Sequence, residues 1–283
     1  MIESSLCYPE LRGRAAVITG GAGDLGAALI QGLAQAGVRV AILDLNGDKA
    51  VARAAEVEDS TGTRCVGFTC DVLDRRSLTD AAQAITRELG PWDMLINAAG
   101  GNVAAATTTH EKVGADMTGL EGTFFDLDLA AFGRAFDLNF TGTVLPTLVF
   151  GRRLAERGEG VIVNFSSMNA FRPLTRIPAY SAAKCAVSNF TQWLAVHLGP
   201  RGVRVNAIAP GFILTEQLKF LAFDAAGRLT PRYEKVLAHT PMNRLGQPEE
   251  LVGTLLYLVS AQSRFVTGVT IPVDGGFNAY AGV

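Results

Sequence analysis

The stretch AYSAAK places Tyr180 four residues before Lys184. On a helix, positions i and i+4 share a face, so a phenol and an ammonium would stand together. Ser167 precedes the tyrosine at the end of the apolar run GVIVNFSS. Moving a hydride onto or off an alcohol carbon also requires moving the hydroxyl proton. A phenol beside a fixed ammonium can do that near neutral pH, as base in one direction and acid in the other. A serine at the neighbouring strand end can hold the substrate oxygen by hydrogen bond.

A hydride carrier is suggested by TGGAGDLG at positions 19–26, directly after AAVI. Gly21, Gly23 and Gly26 spell G-x-G-x-x-G. Thr19, Gly20 and Gly26 also fit T-G-x-x-x-G-x-G, with Asp24 where the middle glycine belongs. Either reading turns the backbone tightly and aims a helix N-terminus at a pyrophosphate. Asp44 closes VAILD, where an acid accepts bonds from the adenosine ribose hydroxyls. It also repels a 2′-phosphate, and Leu45 and Asn46 offer no cation to hold one. The expected cofactor is therefore NAD rather than NADP. Its cationic ring would add to the Lys184 ammonium in lowering the pKa of Tyr180. Asp24 is expected to turn away from the phosphates or to cap the helix that follows.

These residues need a scaffold that brings distant strand ends together. Apolar runs alternate with helical stretches: RAAVIT, VRVAILD, RCVGFTCD, DMLINAAG, GVIVNFSS, VRVNAIAPG and TGVTIPVDGG. Helices are expected over about 24–36, 48–58 and 75–89, and from near Tyr180. Strands rich in Val and Ile without alternation are buried on both faces. The pattern predicts an α/β fold: a single-domain Rossmann-type doubly wound sheet of about seven mostly parallel strands, helices on both faces. The one domain covers 1–283. Residues 11–100 form mainly the dinucleotide-binding half, and 101–130 and 212–245 are substrate-side loops.

Other classes are disfavoured. The net charge is −2 with no basic block, which argues against a nucleic-acid partner. No run of 18 apolar residues exists, so no membrane span is expected. MIESSLCYPE lacks the charge and apolar order of a secretory signal. Cys7, Cys65, Cys70 and Cys185 lack C-x-x-C spacing and read as reduced, mostly buried thiols of a cytoplasmic protein. His110, His197 and His239 are far apart, and no metal is expected.

From about Leu11 to Val283 the chain resembles the short-chain dehydrogenases/reductases. The resemblance favours the second reading of the turn, so Gly20, Gly23, Asp24, Leu25 and Gly26 would border the cofactor with Asp44 and Leu45. CDV puts Asp71 and Val72 at the adenine. INAAG, resembling N-N-A-G, adds Asn97, Ala98 and Ala99. LNFTG carries Asn139, which matches the fourth catalytic residue beside Ser167, Tyr180 and Lys184. In that family it holds a water linking the lysine to solvent. APGFILT implies that Pro210, Gly211, Ile213 and Thr215 hold the nicotinamide half, with Tyr180 and Lys184. The family also implies a homotetramer, built partly through the helix after Tyr180, where Trp193 and His197 read as core or interface residues.

A narrower likeness runs through NAAGGN, TFFDLD, LNFTGTVLPT, SSMNAFRPLTRIPAYSAAK and LAHTPMNRLGQPEEL. Within that family these stretches resemble the D-mannonate oxidoreductases, or fructuronate reductases, which interconvert D-mannonate and D-fructuronate. A sugar-acid substrate needs hydroxyl partners and a cation. Asn102 and Asn169 are candidates for the hydroxyls, with Gln217 on the second excursion. Arg172 and Arg176 are candidates for the carboxylate. Another polyol, a gluconate-type substrate, a 3-oxoacyl substrate or a nucleotide-sensing role are the alternatives.

Overall fold

The computed structural model describes residues 8–282, apart from the side chain of Gln217. Cys7 lies outside the described residues. The seven strands are β1 Ala15–Thr19, β2 Arg39–Asp44, β3 Cys65–Thr69, β4 Met94–Asn97, β5 Gly160–Phe165, β6 Val203–Pro210 and β7 Thr270–Val273. They form one sheet in the order β3-β2-β1-β4-β5-β6-β7. Every pairing is parallel, where the sequence suggested mostly parallel.

Two apolar clusters cover the two faces of this one-domain fold. Ala16, Ile18, Val40 and Ile42 face one, while Ala15, Val17, Ala41 and Leu43 face the other. Successive strand residues point to opposite faces, so a strand buried on both sides must be apolar throughout. The order reverses between β1 and β4. That is the switch point where open α/β sheets bind ligands, beyond the carboxyl ends of the strands.

Helices α1 Asp24–Gln35, α2 Gly47–Thr61 and α3 Arg75–Glu88 fall within three residues of their expected bounds. Between β4 and β5 the pattern gave no helix. The chain there is helical from 129 to 157, but not regularly so. Segments α4 Leu129–Phe136, α5 Gly142–Pro146 and α6 Arg152–Arg157 alternate with π turns Asp137–Thr141 and Thr147–Gly151. Each π turn shifts the apolar phase, and Pro146 removes an amide donor mid-run, so no constant 3.6-residue period survives. Helix α7, Pro178–Leu198, follows β5 with proline in its first turn.

The second excursion is not an open loop. It carries α8 Glu216–Ala222 and α9 Pro231–Ala238, before α10 Val252–Val259. The first, 101–130, has short 3-10 turns at Ala104–Ala106 and Phe124–Asp126, with the rest irregular up to α4. Of the described cysteines, Cys65 and Cys70 are buried and Cys185 is exposed. No described helix is long and apolar enough to cross a membrane.

Candidate active site

The glycine turn is built by close approach. Gly20 has φ +67°, and a Cβ there would lie 2.6 Å from Ala99 Cα. A Cβ on Gly26 would lie 2.6 Å from Gly21 Cα. Gly23 is the N-cap of α1, and no side chain caps that helix end. First-turn amides of α1 are thereby left for a ligand, as a pyrophosphate site requires. Asp44 braces the turn: Oδ2 accepts the Ala22 N–H at 3.0 Å, and Oδ1 accepts the Asn46 N–H at 3.0 Å.

The cleft beyond this turn has a volume of about 580 Å³. Gly20, Gly23, Asp24, Leu25 and Gly26 form one wall, Ala98 lies at the switch point, and Ser167, Tyr180 and Lys184 form the floor. Pro210, Gly211, Ile213 and Thr215 close the far side. Residues from β1, β4, β5, α7 and β6 thus meet in one space. Asp44 and Leu45 line an adjoining hollow with Asn46 and Thr69.

Lys184 is 4 % exposed, and its Nζ donates to Phe165 O at 2.8 Å. That ammonium lies 5.7 Å from the centroid of the Tyr180 ring. Burial alone pulls the lysine pKa down to about 8. Burial likewise raises the phenol of Tyr180, and a hydrogen bond with Ser167 opposes the rise. The sequence suggested a lowered tyrosine. In the protein by itself, desolvation outweighs the Ser167 hydrogen bond.

The lysine shift has a measurable sign. Below pH ~8 folded and unfolded chains both hold the proton, and the cost of burying the cation is fully present. From pH ~8 to ~10.4 the unfolded chain binds more protons, so stability rises with pH. From pH 7 to 10, wild type should gain about 2–3 kcal/mol relative to Lys184→Met. Denaturant midpoints at the two pH values measure this, and an unchanged difference would mean an ordinary lysine pKa.

Asn139 is buried in the first π turn. Its Nδ2 donates to Gly101 O at 2.7 Å and Ala135 O at 2.8 Å, and its Oδ1 accepts the Gly101 N–H at 3.1 Å. A Cβ on Gly100 would meet both Asn139 Oδ1 and Lys184 Nζ, at 2.7 and 3.1 Å. Asn139 therefore clamps the strand end that passes Lys184.

Other candidates lie differently. The Asn97 side chain turns into the core, donating to Thr147 Oγ1 and Asn164 Oδ1, both at 2.9 Å. Ala99 donates its N–H to Thr19 Oγ1 at 3.2 Å. Asp71 Oδ1 holds the Leu73 N–H at 2.8 Å, and Val72 is buried near Gly142. Thr215 Oγ1 caps α8 through the Leu218 N–H at 3.1 Å.

None of the described substrate candidates is among the residues lining the cleft. Asn169 is buried with its Oδ1 unpartnered. Asn102 is exposed and donates to Thr107 Oγ1 at 3.0 Å. Arg172 is exposed. Arg176 has φ 75°, and its Nε donates to Thr108 O at 2.9 Å. The Gln217 side chain lies outside the described residues. Asp24 does not cap α1: its Oδ2 accepts the Glu216 N–H of α8 at 2.7 Å.

The structure adds Phe165, Ser166, Gly100, Gly101, Lys49, Phe212, Glu216 and Leu218 to the lining. Ser166 was signalled by its place beside Ser167. Lys49 sits in the first turn of α2 and carries no signal in the strand-end pattern.

The profile of a family described as enoyl-(acyl carrier protein) reductase matches residues 20–278. An uncharacterized oxidoreductase, UxuB, of Bacillus subtilis is 47 % identical over 98 % of this chain and 99 % of its own. The D-threitol dehydrogenase of Mycolicibacterium smegmatis is 34 % identical over 95 % and 94 %. A solved structure from Haemophilus influenza, provisionally named a D-mannonate oxidoreductase and holding bound NAD, superposes with TM-score 0.91. It is 46 % identical, covering 96 % of this chain and 98 % of that one.

Proposed function

Because the chain belongs to the short-chain dehydrogenase/reductase family of oxidoreductases, we propose that it uses NAD to interconvert a sugar acid and its keto form, D-mannonate and D-fructuronate. The reading rests on one observation above the rest. Ser167, Tyr180 and Lys184 line the same cleft as an open helix N-terminus built on close-packed glycines. The NAD held by the similar Haemophilus protein, and that protein's provisional name, support the cofactor and the substrate class.

When bound, the dinucleotide supplies the hydride and, oxidised, a cationic ring. Gly20, Gly23 and Gly26 would admit its pyrophosphate, and Asp44 would take the ribose hydroxyls and repel a 2′-phosphate. Asp71, Val72, Asn97, Ala98, Ala99, Leu25, Leu45, Pro210, Gly211, Ile213 and Thr215 would border it, Asn97 through its backbone. In reduction, the Tyr180 hydroxyl gives its proton to the carbonyl oxygen as the carbon gains hydride. In oxidation, it takes that proton back. Ser167 Oγ holds the same oxygen, and Lys184, fixed by Phe165 O, keeps positive charge beneath the phenol. Asn139 holds the Gly101 segment against this pair.

Arg172 and Arg176 would supply the cation for a carboxylate, with Asn102, Asn169 and Gln217 as hydroxyl partners. Trp193 is 57 % exposed and stacks between Phe190 and His197. That exposed aromatic stripe on α7 suits the subunit interface of a homotetramer better than a core.

Purified protein should oxidise NADH with D-fructuronate at a higher kcat/KM than with other keto-acids, and should leave acyl thioesters untouched. Steady-state assays across that panel decide. Preference for an acyl thioester, or for NADPH, would reject the reading.

A further inference from the structure

We propose that Asp24 is a latch that holds α8 across the dinucleotide turn and so sets how long a bound dinucleotide stays; this rests on reading the cleft as a dinucleotide site. Asp24 opens α1, yet its carboxylate does not serve that helix. It reaches 192 positions along the sequence to the Glu216 N–H at 2.7 Å. Asp24, Thr215, Glu216 and Leu218 all line the cleft, so the bond spans it from one wall to the other.

The span matters because α8 is only 7 residues long. A helix that short does not hold itself in water, and its stability comes from caps and packing. Its first-turn donors are divided between two acceptors. Thr215 Oγ1 takes the Leu218 N–H locally, and Asp24 takes the Glu216 N–H from across the cleft. Packing is one-sided: Leu218 joins a small cluster with Phe212 and Tyr233, while Phe220 and Leu221 are exposed. The other end of the excursion has its own anchor. Arg232 of α9 donates to Glu111 Oε1 at 2.9 Å and Thr175 Oγ1 at 3.3 Å. The far end of α8 is tied to the start of α9, where Ala222 O accepts the Thr230 N–H at 2.8 Å and Leu221 O accepts the Thr230 hydroxyl at 3.1 Å. Loss of the Asp24 bond should therefore loosen the first turn of α8 and leave its last turn and α9 in place.

A carboxylate beside a pyrophosphate is otherwise unfavourable. Here it sits at the positive ends of two helices, α1 and α8, which offset its charge. Repulsion and latch predict opposite signs when the carboxylate is removed. Repulsion alone makes Asp24→Ala hold NADH longer. The latch makes Asp24→Ala release NADH roughly tenfold faster, the scale of a lost cap bond. Asp24→Asn keeps an oxygen that can accept the same N–H and should stay within about twofold of wild type.

Stopped-flow displacement of NADH, followed by its fluorescence, measures release in all three proteins. Amide hydrogen exchange over 216–222, without NADH, reads the tether alone. Exchange should accelerate in Asp24→Ala and not in Asp24→Asn. Release from Asp24→Ala at the wild-type rate or slower, or unchanged exchange in that variant, overturns the latch. Wild type that binds no NADH, with exchange behaving as expected, rejects the dinucleotide reading of the cleft and the residence-time claim with it.

Discussion

Tyr180→Phe should lower turnover of the keto-acid by roughly 10²–10⁴-fold while NADH binds within about twofold of wild type. The substitution removes one oxygen and keeps the ring, so the packing of α7 is preserved. What it takes away, on the proposed mechanism, is the proton donor. Ser167 remains able to bond the carbonyl oxygen, but alkoxide would have to form beside a buried ammonium without a proton to accept. The protein by itself raises the phenol pKa through burial, which keeps Tyr180 protonated and suits it to reduction. Oxidation needs the phenolate, and the positive charge that favours it comes from Lys184 and from the oxidised ring. Lys184→Met should therefore impair oxidation more than reduction. Steady-state kcat in both directions and fluorescence titration of NADH test these statements together. Residual reduction above one-tenth of wild type in Tyr180→Phe would mean that the proton comes from elsewhere.

Much of the candidate site was legible because its residues lie at strand ends, where composition changes sharply. Val- and Ile-rich runs mark β1, β5 and β6, and Gly20, Ser167 and Pro210 follow directly from where those runs stop. Tyr180 and Lys184 are legible for another reason, since helical spacing fixes their relation before any tertiary contact forms. The orientation of individual side groups was not legible. Asn97 closes a strand whose other residues are apolar, and nothing local says that its amide turns inward to Thr147 and Asn164. Asn169 stands two residues past Ser167, yet the 3-10 turn Met168–Ala170 buries it. Partners far apart in sequence were hidden as well. The Asp24 to Glu216 bond depends on α8, which belongs to an excursion read as a loop. Asn139 came from family likeness alone, because the π turn around it breaks the periodicity that marks a helix.

Asp44 carries the second large effect, and the geometry makes it larger than a ribose contact alone. Its two oxygens are committed to two different amides, Ala22 in the glycine turn and Asn46 at the start of α2. Both bonds need an acceptor. Asp44→Ala removes both and should lower kcat/KM for NADH by roughly 10²-fold, since each charge-assisted bond contributes about 1.5–3 kcal/mol. Asp44→Asn is nearly isosteric but still harmful. An amide has one oxygen, so one of the two N–H groups would face an NH₂ donor. Its loss for NADH should fall between wild type and Asp44→Ala. With NADPH the order changes, because either variant removes the charge that repels a 2′-phosphate. The ratio of kcat/KM for NADH over NADPH should fall about tenfold or more in Asp44→Asn, on the scale of one charged interaction at close range. Paired assays with the two cofactors measure the ratio. If Asp44→Asn weakened both cofactors equally, Asp44 would be a brace for the turn and not the residue that selects between them.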